Sequence, residues 1–233
     1  MTPSDFDPLA SDRPLIVYID YKSPYAYLAV EPAWDVERDY RVRLNWLPYT
    51  LDIPSYLGSA RLDEAGAVVE DNRTAHQWRK VRYAYMDVRR YANLRGITAR
   101  GTRKIWDSSI AAIGMLYAKQ QGVFRPYNEL VYSRFWKGEL NIEDPNVVRS
   151  VLDESGAETS GFPEYLETEG RQTHDRIRAE AEAKGVFGVP TFFLDGEMFW
   201  GREHLSLIRL RLHDQGLARP GVNAPIDVTY ARR

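Results

Sequence analysis

The chain has 233 residues, of which 44% are hydrophobic and 27% are charged, and its formal net charge is −2 at pH 7. These values are typical of a soluble globular protein with one large domain or two small ones. The near-neutral charge gives no global attraction to nucleic acid or to an anionic membrane surface, so neither is predicted as a partner. No stretch approaches the ~18 apolar residues of a membrane-spanning helix. Residues 1–14 lack the basic and apolar regions of a signal peptide, and we therefore expect a cytoplasmic protein.

The sequence contains no cysteine. Disulfide bonds and thiolate zinc sites are therefore excluded, and the chain cannot carry out thiol–disulfide exchange with its own atoms. The four histidines show neither HxxxH nor HExxH spacing, so no metal site is predicted. Any thiol chemistry at this protein needs a sulfur atom that arrives with a ligand.

The N-terminal part of the chain predicts two strands on either side of a helix. Ser23 suits the position before the first helical turn and Pro24 suits that first turn, while Pro32 predicts a kink within the helix. The elements predicted here are a buried strand at 15–20, a helix at 24–40, an alternating strand at 41–47 and a long loop at 48–66.

Helical periodicity dominates the chain from residue 72 to residue 184. The predicted helices cover about 72–96, 107–121, 126–136, 145–155 and 162–184. Asp195-Gly196 is a tight-turn pair between two apolar runs and predicts a β-hairpin at 191–200. A closing helix at 203–214 follows, and the Pro/Gly-rich tail from Gly216 is predicted to be irregular.

Two distant segments form the candidate site. A strand, a residue at a helix N-terminus and a remote Val-Pro ahead of another strand make up the layout of a thioredoxin-like site, in which Ser23 takes the place of a cysteine. Pro190 is a candidate for a cis peptide bond, and it leaves the backbone of Val189 available to a ligand. The plainer interpretations are a helix cap at Ser23 and a structural turn at Val189–Pro190.

Residues 23–28, Ser-Pro-Tyr-Ala-Tyr-Leu, and residues 185–200, from Gly-Val-Phe-Gly to Phe-Trp, carry a family resemblance. The chain resembles the 2-hydroxychromene-2-carboxylate isomerases and kappa-class glutathione transferases of the DsbA-like thioredoxin superfamily, from about residue 15 to about residue 211. The resemblance implies an α/β, thioredoxin-like fold with a large all-helical insertion. The implied division is a thioredoxin-like domain at 15–60 and 185–215, a helical insertion at 61–184 and an irregular tail at 216–233.

The resemblance also implies an enzyme that uses glutathione as a co-substrate, requires no metal and forms a homodimer. Its thiolate would add to an electrophilic aromatic small molecule, in an isomerase or a transferase reaction. The residues assigned by resemblance are Ser23 as the catalytic group that stabilises the thiolate, Ser23, Val189, Pro190, Arg202 and Glu203 as glutathione contacts, and Tyr25, Tyr27 and Trp200 as walls of the substrate pocket.

Other interpretations remain open. The chain could be a cysteine-free, non-catalytic binding module on a thioredoxin fold, in which departures from the family at Arg202, His204 and the loop 49–58 reflect lost glutathione contacts. It could also be an enzyme that uses a different thiol. Residues 72–104 hold ten Lys or Arg against Asp87 alone, and this basic stretch either binds a ligand carboxylate or forms a solvated helix face.

Overall fold

The computed structural model describes residues 15–225. Its strands are β1 (Leu15–Ile19), β2 (Leu44–Pro48), β3 (Ala60–Leu62), β4 (Val68–Asp71), β5 (Thr191–Leu194) and β6 (Glu197–Trp200). The central sheet has the order β2–β1–β5–β6, in which β1 is parallel to β2 and antiparallel to β5. Strands β3 and β4 form a separate antiparallel hairpin.

The register of the sheet brings the two candidate segments together. Tyr18 pairs with Thr191, so the end of β1 lies beside the beginning of β5. The chain that leaves β1 toward Ser23 therefore passes close to the Val-Pro pair that precedes β5. Four of the five residues of β1 are buried, which anchors this meeting point in the core.

Helices occupy most of the remaining described chain. They are α1 (Pro24–Asp39), α2 (Ile53–Leu57), α3 (Ala75–Leu94), α4 (Ser109–Gln120), α5 (Phe124–Lys137), α6 (Pro145–Glu154), α7 (Phe162–Glu167), α8 (Glu169–Ala183) and α9 (Leu205–Asp214), with a 3₁₀ turn at Arg202–His204. The predicted α/β fold with a helical insertion between β2 and β5 is confirmed. Among the described helices, none combines the length and apolar character needed to cross a membrane.

Helix α4 is the centre of the helical region. It contacts α5, α6, α7 and α8, and it also contacts β2 of the sheet. Gly114 permits this close packing, because a Cβ atom there would lie only 2.3 Å from the hydroxyl of Tyr127. That hydroxyl donates to the carbonyl oxygen of Ala111 at 2.8 Å. A glycine within a helix is therefore explained here by helix–helix approach rather than by a turn.

The structure corrects three details of the predicted elements. The loop predicted at 48–66 is wrong in part, because it contains α2 and β3. The segment 61–184 is not all helical, since the hairpin of β3 and β4 precedes α3; all four residues of β4 are exposed, so no apolar alternation marks the strand. The single helix predicted at 162–184 is two helices that meet at Thr168, where ψ is −106°.

Only part of the predicted irregular C-terminal tail lies within the described residues. The backbone N–H of Arg41 donates to the carbonyl oxygen of Leu217 at 2.8 Å, and Tyr40 forms a β-bridge with Ala218. The beginning of the predicted irregular tail is therefore held against the end of α1. Residues 1–14, predicted as a loose arm, and 226–233 lie outside the described residues. The division into two domains stays a prediction.

Candidate functional site

Ser23 caps the first helix of the chain. Its Oγ accepts a hydrogen bond from the backbone N–H of Ala26 at 3.2 Å, and Pro24 occupies the first helical turn. The serine is buried, with 4% of its surface exposed. The predicted cap is thus confirmed, and the hydroxyl lies at a helix N-terminus, where the backbone dipoles favour negative charge.

The Val189–Pro190 peptide bond is cis, as predicted. The hydroxyl of Ser23 donates to the carbonyl oxygen of Val189 at 3.4 Å, although 166 positions separate the two residues. Among residues 15–225, no acceptor takes a hydrogen bond from the Val189 N–H. This N–H is therefore available as a donor to a bound molecule beside the serine.

A cavity of about 850 Å³ opens in front of these two segments. Its walls come from the beginning of α1, from α2, β3 and α3, from the connection that precedes α4, and from the segment before β5. Most of the wall is apolar, and aromatic rings supply much of it: Tyr25, Tyr56, Trp78, Tyr85, Trp106, Phe187 and Trp200. The volume is in the upper part of the range of small-molecule sites, about 300–1,000 Å³.

The charged groups in the cavity wall are all cationic. Within the described part of the chain, they are Lys22, Arg73, Arg82, Arg89, Arg103 and Lys104, without any Asp or Glu. Five of the ten basic residues at 72–104 thus face the cavity, whereas others, such as Arg79, are exposed elsewhere. The positive charge of the cavity wall therefore favours an anionic ligand.

Trp78 organises two of these cations. The guanidinium carbon of Arg73 lies 5.0 Å from the centre of the indole ring, and that of Arg82 lies 5.7 Å from it. The indole N–H donates to Asp71 at 2.9 Å, which orients the ring. Burial lowers the pKa of Arg73 from its ordinary value, consistent with a cation held in a partly apolar wall.

Of the two tyrosines predicted in the pocket, only Tyr25 lines it. Burial, followed by the charge of Asp87, raises the pKa of Tyr25 to about 12, so its phenol remains neutral near pH 7. Tyr27 instead stacks on Tyr132 at 5.4 Å and on Trp136 at 6.2 Å between ring centres. Two residues along a helix point in different directions, so Tyr27 packs against α5 and its assignment to the pocket wall is corrected.

Of the other residues assigned to the site, one lines the cavity and three do not. Trp200 lines the cavity and packs against Phe187 with 4.8 Å between ring centres. Pro190, Arg202 and Glu203 are not among its lining residues. Arg202 lies over the ring of Tyr91 at 3.6 Å, and Glu203 is exposed. Their assignment as glutathione contacts stays a prediction.

A buried ionic cluster, which the sequence did not predict, lies next to Ser23. Lys22 Nζ lies 3.2 Å from Asp20 Oδ2 and donates to Ser108 Oγ at 3.2 Å. The serine hydroxyl in turn donates to Asp20 Oδ1 at 2.5 Å. The sequence feature that could have predicted this cluster is the occurrence of two charged residues between an apolar strand and a helix cap. Among the described residues, no group of His, Asp or Glu side chains is arranged to hold a metal ion.

Comparisons with known proteins agree with this geometry. A 2-hydroxychromene-2-carboxylate isomerase of Sphingobium xenophagum is 27% identical over 200 residues, which cover 84% of this chain and 96% of that protein. An isomerase of the same name from Pseudomonas putida is 27% identical over 193 residues, covering 82% and 90% of the two chains. A solved structure of such an isomerase has a TM-score of 0.62 at 24% identity and covers 88% of this chain and 99% of the other.

The resemblance stated from the two motifs is confirmed for these isomerases. The family model for the DSBA-like thioredoxin domain matches residues 14–213, which is most of the chain and includes Ser23 and Val189. The chain therefore belongs to the family of DSBA-like thioredoxin domains.

Proposed function

We propose that the protein is a glutathione-dependent isomerase or transferase that acts on an electrophilic, anionic aromatic molecule. The observation that carries this proposal is the meeting of the Ser23 hydroxyl and the Val189 backbone at a helix N-terminus, in the wall of a cationic cavity. The named relatives are isomerases of a chromene carboxylate, which supports the reaction class. Because the chain has no cysteine, the nucleophilic sulfur comes from the ligand.

Val189 offers the groups that a peptide-like ligand requires. Within residues 15–225, its N–H is available as a donor, and its carbonyl oxygen is engaged only by the long 3.4 Å contact with Ser23. One donor and one acceptor on a single residue match the backbone of a cysteinyl unit, as in the addition of one strand to a sheet edge. Glutathione bound here supplies a thiolate nucleophile.

Ser23 stabilises the negative sulfur. Its hydroxyl turns from the Val189 carbonyl oxygen to the sulfur and donates to it, while its oxygen keeps the hydrogen bond from Ala26. The helix dipole adds a fixed partial positive charge of about 0.5 elementary charge at the same end of α1. Both effects favour the thiolate over the thiol at neutral pH.

The far wall of the cavity suits the second substrate. Planar aromatic surface comes from Trp78 and Tyr85, and the guanidinium groups of Arg73, Arg82 and Arg103 are donors matched to a carboxylate. An aromatic carboxylate therefore pairs its ring with the indole and its anionic group with the cations.

The test is calorimetric titration of the purified protein with reduced glutathione and with S-methylglutathione, which lacks the ionisable thiol. We expect both tripeptides to bind, and a thiol-dependent turnover of an aromatic carboxylate with a conjugated carbonyl group. Arg82→Gln should weaken binding of that carboxylate, whereas Arg79→Gln, on the exposed side of α3, should not. Glutathione that fails to bind at millimolar concentration would reject the proposal and favour a non-catalytic binding module or another thiol.

A further inference from the structure

The ion pair of Asp20 and Lys22 is almost completely shielded from water. The side chain of Asp20 is completely buried, and 5% of the Lys22 side chain is exposed. Removing two charges from water costs free energy that their mutual attraction often does not recover, so such a pair is poorly explained by stability alone. Lys22 directly precedes Ser23 in the chain, so the ion pair lies at the candidate site.

The two members of the pair face different surroundings. The carboxylate of Asp20 accepts three hydrogen bonds, from the Lys22 backbone N–H, the Ser108 hydroxyl and the Leu51 N–H, at distances from 2.5 to 3.1 Å. It also forms the ion pair with the Lys22 ammonium at 3.2 Å. These donors enclose the carboxylate, which does not line the cavity. Lys22 does line the cavity. Lys22, the positive member of the pair, is therefore accessible to a ligand in the cavity, whereas Asp20, the negative member, is not.

The ammonium group also retains donor capacity. It has three N–H donors, of which one faces Asp20 and one faces Ser108. Among residues 15–225, no third protein acceptor lies within hydrogen-bond distance of Lys22 Nζ. The ammonium is thus fixed in place by two contacts and can act on an anion in the cavity.

We propose that the Lys22 ammonium, held by Asp20 and Ser108, stabilises the thiolate of bound glutathione beside Ser23, an inference that rests on the proposed function. The thiol loses its proton to water, and the resulting negative charge lies between a hydroxyl donor and a buried cation. Lys22 thus acts directly on the sulfur and sets the fraction of reactive thiolate.

Other titratable groups near the pair do not obscure this effect. Burial raises the pKa of Tyr21 and Tyr132 well above their ordinary value, and burial with the charge of Asp20 raises the pKa of Tyr56 to about 12. The pKa values of His174 and Asp107 are lowered; burial lowers that of the histidine, and hydrogen bonds from Ser109 outweigh burial at the carboxyl. The charge of Arg171 acts on both of these groups. The three phenols therefore stay neutral near neutral pH and add no tyrosinate absorbance where the thiol titrates.

The experiment compares Lys22→Gln with the wild-type protein. The thiolate of bound glutathione is followed by its ultraviolet absorbance as the pH is raised, and the affinity for S-methylglutathione is measured separately. We expect the thiol pKa to rise by about one unit, a tenfold loss of thiolate at a pH below both values. S-methylglutathione should bind nearly as before. Lys137→Gln, an exposed position outside the cavity, is the matched control.

Glutamine was chosen because its amide can still donate to Asp20. Should the single variant fail to fold, Asp20→Asn combined with Lys22→Gln removes both charges and leaves no uncompensated carboxylate. The thiol pKa should again rise, but by less than in the single variant, because the nearby negative charge of Asp20 is also lost. An unchanged thiol pKa in either folded variant overturns the role of Lys22 and leaves the proposed function standing. Absence of glutathione binding by the wild-type protein overturns both.

Discussion

Replacement of Ser23 by alanine separates the structural role of its hydroxyl from its chemical role. The substitution removes a cap contact of 3.2 Å with Ala26 and a contact of 3.4 Å with Val189. Loss of a serine cap costs about 1 kcal/mol of unfolding free energy. The second contact is long for a hydroxyl hydrogen bond and adds little. The melting temperature should therefore fall by only about 2–4 °C in a chain of this size.

The expected effect on the sulfur is larger. A hydrogen bond to a charged group contributes about 1.5–3 kcal/mol, and one pKa unit corresponds to about 1.4 kcal/mol. Removing the hydroxyl of Ser23 should therefore raise the pKa of the bound glutathione thiol by about one to two units. The turnover at neutral pH should fall in proportion to the thiolate that is lost.

The assay combines denaturant unfolding with ultraviolet titration of the bound thiolate. Ser150→Ala is the control, because its hydroxyl donates to the carbonyl oxygen of Asn146 at 3.0 Å on an exposed helix face far along the chain. That variant should leave the thiol pKa unchanged. If Ser23→Ala binds glutathione and shows the wild-type thiol pKa, the hydroxyl is only a helix cap and the proposed chemistry of this residue is refuted.

Two further predictions concern pH and cavity shape. Burial lowers the pKa of His174, whose Nε2 lies 2.8 Å from the hydroxyl of Thr50. The folded protein therefore takes up this proton less readily than the unfolded chain, so stability should fall as the pH decreases below about 6.5, and urea unfolding of His174→Asn should show a smaller fall. A Cβ atom at Gly188 would lie 2.6 Å from Nε1 of Trp200. Gly188→Ala should displace the half-exposed indole and weaken binding of an aromatic ligand, measured by calorimetry, with little change in the melting temperature.

Each of these predictions can fail clearly. Equal acid sensitivity in the wild-type protein and in His174→Asn would show that other groups govern unfolding between pH 6.5 and the folded pKa of the histidine. Wild-type ligand affinity in Gly188→Ala would show that the Trp200 ring does not form part of the ligand contact.

The pairing of Ser23 with Val189 was predictable, because each segment carries its own local signal. A serine before a proline at a helix start and a Val-Pro before a strand are readable within a few residues. The antiparallel pairing of β1 with β5 then brings them together. The helical content between β2 and β5 was also predictable from periodicity, since long helices repeat their apolar spacing several times.

Other features depend on contacts that short patterns do not encode. Strand β3 has only three residues, and β4 is entirely exposed, so neither shows a burial period. Tyr27 follows Ser23 by four positions but packs against Tyr132, because helix geometry rather than sequence distance decides its direction. The burial of Lys22 is explained by its contacts with Asp20 and with the distant Ser108, and a short sequence pattern does not reveal the second contact.

The charge of the cavity shows why net charge is a weak guide to a ligand. The whole chain carries −2, yet the charged lining residues of the cavity are all cations in the described structure. Asp20 and Glu143 form ion pairs with two of these cations, Lys22 and Lys104, and neither acid lines the cavity. In the proposed function, the segments beside the sheet supply the groups for sulfur chemistry. The walls contributed by residues 51–106 then supply the cations and rings that select the second substrate. Substitutions in those walls should therefore change which molecule reacts, while substitutions at Ser23 or Lys22 should change how readily the thiolate forms.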